Sequence, residues 1–155
     1  MKKNLTAFIL AVSVFAAAHV HASEAKLIAA AKSGNLAKVQ ELISGGLDPE
    51  TYDSSDRTIA MIAAQNGKFK VVDYLLDLDI NPNRKDRKGY TLMHILAASK
   101  SKDALAVIEK ALEQRGSINL VMGKGDTPLS IAIKNGNVDT VSLFLEKGDC
   151  TPDST

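Results

Sequence analysis

Thr58-Ile59-Ala60-Met61-Ile62-Ala63-Ala64-Gln65-Asn66-Gly67 decides the fold, because the chain returns to this pattern again and again. Thr91-Leu92-Met93-His94-Ile95-Leu96-Ala97-Ala98 begins 33 residues later, and Thr127-Pro128-Leu129-Ser130-Ile131-Ala132-Ile133-Lys134-Asn135-Gly136 follows after a further 36. Ala25 stands 33 residues before Thr58 and leads into Leu27-Ile28-Ala29-Ala30-Ala31-Lys32-Ser33-Gly34-Asn35. A fixed period of this size marks stacked units that bury their apolar faces only against one another. Four copies are expected, near residues 23–50, 51–83, 84–119 and 120–155.

Aligned positions behave alike. Nine residues past each start lie Gly34, Gly67, Lys100 and Gly136, and fourteen past lie Val39, Val72, Leu105 and Val141. Seventeen past lie Leu42, Leu75, Ile108 and Phe144. Glycine between two apolar periodic segments ends a helix in the left-handed conformation and lets the chain reverse. Each copy thus predicts helix, tight turn, helix and polar loop. Thr127 is placed to cap a helix that has Pro128 at its first position, where a missing N–H costs nothing. The alanine pairs Ala63-Ala64 and Ala97-Ala98 let neighbouring first helices approach closely. Val71, Val72, Leu75 and Leu76 give the second helix its larger contacts. Asp48-Pro49 and Asn81-Pro82 are expected to break that helix and open the loop. The composition agrees: aromatics are 5% of the chain and Trp is absent, so the core is built from Ala, Leu, Ile and Val, which suits close-packed helices better than a β-sandwich.

The roughly 33-residue period and the Thr-Pro-Leu-His-like start resemble the ankyrin repeat. Thr127-Pro128-Leu129 with Asn135-Gly136-Asn137 carries the resemblance best, beside Thr91-Leu92-Met93-His94 and Val71-Val72-Asp73-Tyr74-Leu75-Leu76. It implies an all-α solenoid of about four helix-turn-helix repeats covering residues 23–155. Copy one lacks the starting Thr. Copy two has Asp56 where copies three and four have the loop glycines Gly89 and Gly125. Copy three lacks the inter-helix glycine and has three extra residues, nearly one helical turn, which are expected to lengthen its second helix around Lys110–Arg115. Thirteen residues past each start lie Lys38, Val71, Ala104 and Thr140. Polar residues in the outer copies and apolar ones in the inner copies imply a cap at each end.

Residues 1–22 read as an export signal. Lys2 and Lys3 precede the uncharged, mostly apolar run Leu5–Ala18, and Val20-His21-Ala22 supplies a cleavage site between Ala22 and Ser23. The run has 14 residues, about 21 Å of helix against a hydrocarbon core of about 30 Å. Removing residues 1–22 moves the net charge from +1 to −1, so no global charge favours nucleic acid. No other run approaches membrane-spanning length, and stable membrane insertion of the mature chain is not expected. Cys150 is the only cysteine, so stability must come from packing. The signal resembles bacterial ones and implies the periplasm, with secretion as the alternative. A monomer is expected.

Little points to catalysis, metal or cofactor. His19 and His21 leave with the signal, and His94 matches the ankyrin motif histidine, which in that family bonds to the neighbouring loop backbone. No Gly-x-Ser-x-Gly elbow accompanies it. One Cys and one His give poor support for zinc, and Asp77 and Asp79 read as a solvated helix end. No catalytic residue, metal ligand or cofactor is assigned.

The informative positions are the loop tips. Asn83-Arg84-Lys85-Asp86-Arg87-Lys88-Gly89-Tyr90 offers four basic residues and an amphipathic Tyr90 to an acidic protein surface. Leu120-Val121-Met122 is apolar where a loop should be polar, reading either as packing against the longer helix of copy three or as an exposed patch. The resemblance implies a protein partner held by loop tips and first helices. The positions are Ser54, Ser55, Arg57, Gln65 and Asn66; Arg84, Arg87, Lys88, Tyr90, Ala98 and Ser99; and Met122, Lys124, Asp126, Lys134 and Asn135. Immunity or inhibition of a toxin is one form of that role. An adaptor for an envelope or oxidative-stress enzyme is another.

Overall fold

A computed structural model describes residues 20–123 and 125–147, and the chain is all-α, as the repeat predicts. Helix α1 covers the described residues 20–33 and pairs with α2 (Leu36–Ser44). Then come α3 (Ile59–Gln65) with α4 (Phe69–Asp77), α5 (Leu92–Ala97) with α6 (Lys102–Glu113), and α7 (Pro128–Lys134) with α8 (Val138–Lys147). First helices form one row, α3 on α5 on α7, and second helices a parallel row, α2 on α4 on α6 on α8. The Lys2-Lys3 start, the Leu5–Ala18 run and the tail beyond Lys147, with Cys150, lie outside the described residues. The expected cleavage point Ala22–Ser23 falls early in α1.

The core runs through all four hairpins without a break. Leu27, Ala31 and Val39 of the first join Ile59, Ala63, Val72 and Leu75 of the second, Leu92, Leu96 and Ile108 of the third, and Ala132 and Phe144 of the fourth. From α2 to α8 the helices have only six to twelve residues, and such helices are marginal alone in water. Their stability here comes from this shared face.

Local signals hold them in place. Thr58 Oγ1 accepts the Met61 N–H (3.3 Å) and Thr127 Oγ1 that of Ser130 (3.2 Å), so both threonines cap their helices. Gly34, Gly67 and Gly136 all take positive φ, between 63° and 80°, as the turn between helices requires. In the outer loops Asp56 (φ 60°) adopts the left-handed conformation of Gly89 and Gly125, which Asp tolerates better than most residues. The three extra residues of copy three lengthen its second helix as expected, to 12 residues against 9 in α2 and α4.

Two expectations are corrected. The second helices stop at Ser44 and Asp77, ahead of Asp48-Pro49 and Asn81-Pro82, with Gly46 (φ 102°) and Asp79 (φ 57°) turning the chain first. Thr140 is fully buried, so its polarity does not mark an outer cap.

Polar bonds between copies fix the stack. Asn137 Nδ2 donates to Ala97 O and Ser99 O. Asn83 Nδ2 donates to Arg115 O (2.8 Å), while its Oδ1 accepts the Ser117 N–H (2.8 Å). Lys110 pairs with Asp73 (2.7 Å) and Asp77 (2.6 Å), joining α6 to α4, and Lys147 pairs with Glu109 (2.6 Å), joining α8 to α6. Asp77 is therefore an ion-pair partner between copies. Replacing buried Asn137 by Ala leaves two carbonyls of copy three without this donor. Asn137→Ala is expected to lower unfolding stability by about 1–3 kcal/mol, measured by chemical denaturation followed by circular dichroism.

Candidate functional site

The loop tips are joined to one another through hydrogen bonds to their backbone carbonyls. The Arg87 N–H donates to Ser55 O (3.1 Å), and Lys85 Nζ donates to Val121 O (3.2 Å). Within copy two, Asp53 Oδ1 accepts the backbone N–H groups of Ser55 and Arg57, and its Oδ2 accepts from the Arg57 guanidinium at 2.6 and 2.9 Å. Burial alone would raise the Asp53 carboxyl, but these donors and the Arg57 charge outweigh it and hold it below the usual value.

Between the tips and the first helices lies an open groove of about 1270 Å³. Copy two contributes Ser55, Arg57 and Gln65, copy three Arg87, Lys88, Tyr90 and Ser99, and copy four Met122, Asp126 and Asn135. Ten of the expected partner-binding residues thus meet in one surface. Ala98 joins them.

The others do not line it. Ser54 is exposed outside the groove. Asn66 turns its amide back to Ile62 O (2.8 Å). Arg84 stands over the Tyr52 ring of copy two (4.5 Å to the centroid) and reaches Glu50 at the end of copy one (3.4 Å), so it ties copy three to both away from the groove. Lys134 clamps Asp126 at the rim. Lys124 lies outside the described residues.

Phe69, Ile95, Ser101 and Ile131 line the groove without having been expected there. Ile95 and Ile131 occupy an apolar position of the helical period, which reads as core. Their place one turn past the loop tip does not mark them out by sequence, since Ile62 at the same offset is buried. The apolar tip resolves by residue: Leu120 and Met122 are half-buried, and Val121 is 51% exposed. At the tip, Met122 lies beside Gly89 of the neighbouring loop.

His94 is a structural pin. Its Nδ1 accepts the Thr91 N–H (3.1 Å) and is therefore unprotonated, leaving Nε2–H to donate to Asp126 O (3.2 Å) in the next tip. Tyr90 meets the ring edge-on, 6.1 Å between centroids. Burial pushes the imidazole below its ordinary value of 6.5, and the Lys85 charge adds to that. The loop carbonyls of Asp126 and Leu120 oppose it.

Unfolding restores the ordinary value. As pH falls through about 6.5, the unfolded chain takes a proton that the native chain refuses, so stability is lost on the acid side. Thermal midpoints are expected to fall between pH 7 and 5. His94→Ser, which copies the Ser130–Thr127 arrangement of copy four, should give a lower but flatter profile. An equally steep profile in the variant would assign the acid sensitivity to another group.

Among the described residues no helix is long and apolar enough to cross a membrane, and no three His, Cys, Asp or Glu side chains gather as a metal site.

Comparison with known proteins places the groove in context. A family model described as ankyrin repeats (3 copies) matches residues 27–111, and one described as ankyrin repeat matches residues 124–155. The chain is 32% identical over 113 residues to the inactive serine/threonine-protein kinase TEX14 of Bos taurus, covering 73% of this chain and 7% of that protein. It is 30% identical over 120 residues to the ankyrin repeat and KH domain-containing protein mask-1 of Caenorhabditis elegans, covering 77% and 4%. It is 26% identical over 118 residues to a putative ankyrin repeat protein of Rickettsia felis, covering 74% and 38%. The chain thus spans less than a tenth of the length of the first two of these relatives.

Proposed function

The chain belongs to the ankyrin-repeat family, whose repeats are protein–protein interaction modules, and from that premise we propose an exported, non-catalytic protein that occludes its partner through the groove, as an immunity or inhibitor protein does. One observation carries this reading. Beside the core-packed Phe69, Ile95 and Ile131, the groove is lined by Met122 and by polar, charged and aromatic side chains such as Arg57, Gln65, Arg87, Lys88 and Tyr90, at repeat-aligned positions that the core does not need. They are held on a scaffold cross-tied in all its copies, so little conformational freedom is lost on docking.

The tip of copy three is the centre of the docking surface. Arg87 and Lys88 are exposed there beside the half-buried Tyr90, a basic rim next to an aromatic anchor, as interface centres have. They face an acidic, partly apolar patch on the partner. Export is supported by the Lys2-Lys3 start, the Leu5–Ala18 run and the small residue Ala22, and it puts the mature chain in the periplasm as a monomer.

Two measurements test the proposal. The mature protein recovered from the periplasm should begin at Ser23 by mass spectrometry, and an intact Met1 there would remove the export reading. Arg87→Ala, Lys88→Ala and Tyr90→Ala together should weaken the partner cross-linked and purified from the same extract by at least about tenfold, while leaving thermal stability within a few degrees. A partner identified as a resident envelope enzyme whose activity the chain raises would favour the adaptor role over inhibition.

A further inference from the structure

In copies two and four the residue before the start bonds, eight positions on, to the end of that copy's first helix. In copy two the pair is Arg57 and Gln65, and Arg57 donates to Gln65 Oε1 at 2.9 Å. In copy four it is Asp126 and Lys134, joined as an ion pair. Both pairs make a polar strap from the loop tip to the end of the helix, in copy two within the groove and in copy four at its rim. In copy three the pair is Tyr90 and Ala98. Alanine has nothing to bond with, so no strap can form there.

The consequence is a notch at the centre of the groove. Its floor is the half-buried Ile95 and the exposed Ala98, its wall is Tyr90 on the His94 ring, and Met122 and Ile131 close it toward copy four. Beneath the copy-two strap the residue matching Ile95 is Ile62, and it is only 3% exposed. In copy four the matching Ile131 stays half-buried and lines the groove despite its strap, so the notch is the stretch where Tyr90, Ile95, Ala98, Met122 and Ile131 are open together, between a guanidinium on one side and a carboxylate on the other.

We propose that this notch receives one apolar side chain of the partner, aromatic or leucine-sized, followed by an acidic residue. Burying such a side chain among Tyr90, Ile95 and Met122 supplies the non-directional attraction. The acidic neighbour follows from charge. Arg57 is matched by Asp53, Arg87 by Asp56 and Asp126 by Lys134, whereas exposed Lys88, at the same tip as Tyr90, has no ion-pair partner among the described residues. A carboxylate beside the anchor completes it. At about 1270 Å³ the groove exceeds what most small ligands fill, which fits a segment of polypeptide passing over the notch. The assignment rests on the groove being the docking surface.

Ala98 ends α5 with ordinary right-handed helical angles (φ −77°, ψ −15°) and is exposed, so a larger residue there fills the notch without touching the core. The test uses a phage library of random 12-residue peptides selected on residues 23–155. Peptides retained by the chain should share one aromatic or leucine followed within two residues by Asp or Glu. Binding should fall by about tenfold or more with Ala98→Arg, and by less with Lys88→Glu. Peptides that lose affinity with Lys88→Glu and Arg87→Glu but bind Ala98→Arg unchanged would overturn the notch and keep the groove. Peptides indifferent to all three variants, or a library that yields no peptide sensitive to any of them, would overturn both.

Discussion

Alanine six residues past the repeat start sets the distance between first helices, and the rest of the structure depends on that distance. Ala31, Ala64 and Ala97 are all buried, at 0%, 6% and 0% exposure, and each lies where one first helix meets the next. A side chain without rotamers there allows close approach at no entropic cost. The row changes at Ile133, which is 59% exposed. Close approach in turn brings the loop tips within backbone hydrogen-bond reach, as Arg87 to Ser55 shows, and brings Asn137 onto the end of α5.

The groove is a by-product of that spacing. Once tips and helices are stacked, the residues just before each start and those ending each first helix line up along one face. The core then places no demand on their identity. Copies two and four spend these positions on straps, and copy three leaves them as Tyr90 and Ala98. His94 joins the two layers, since the same ring that caps α5 also grips Asp126 of the next tip. Acid that loosens this pin acts on the wall of the groove as well as on the fold.

The sequence showed the repeat, its register, its turns and its longer helix, because each depends on spacing along the chain. Asp56 could be placed in a glycine position by alignment alone. The groove was legible where a residue's offset from the repeat start fixed its direction, as for Ser55, Gln65, Arg87 and Asn135. It was not legible where a side chain chose between partners in space. Arg84 belongs to the basic tip by sequence but turns to Tyr52 and Glu50. Thr140 reads as polar surface but sits where Val71 and Ala104 sit in the inner copies, inside the packed row of second helices. Met122 belongs to an apolar tip that reads as helix packing or as an exposed patch, and it is the neighbouring loop at Gly89 that comes up against it. For Arg84 and Met122 the deciding neighbour belongs to another copy, about one repeat away along the chain.

The central claim is that four hairpins share one core that none builds alone, and that this core holds the groove in shape. Removing residues 58–90 in register, one 33-residue period, tests it most directly, because Arg57 then joins Thr91 with the repeat pattern unbroken. Equilibrium unfolding in urea, followed by circular dichroism, should show the shortened chain much less stable than the mature chain, with its transition broadened or lost. A shortened chain that unfolds at the same midpoint with a proportionate slope would contradict the account.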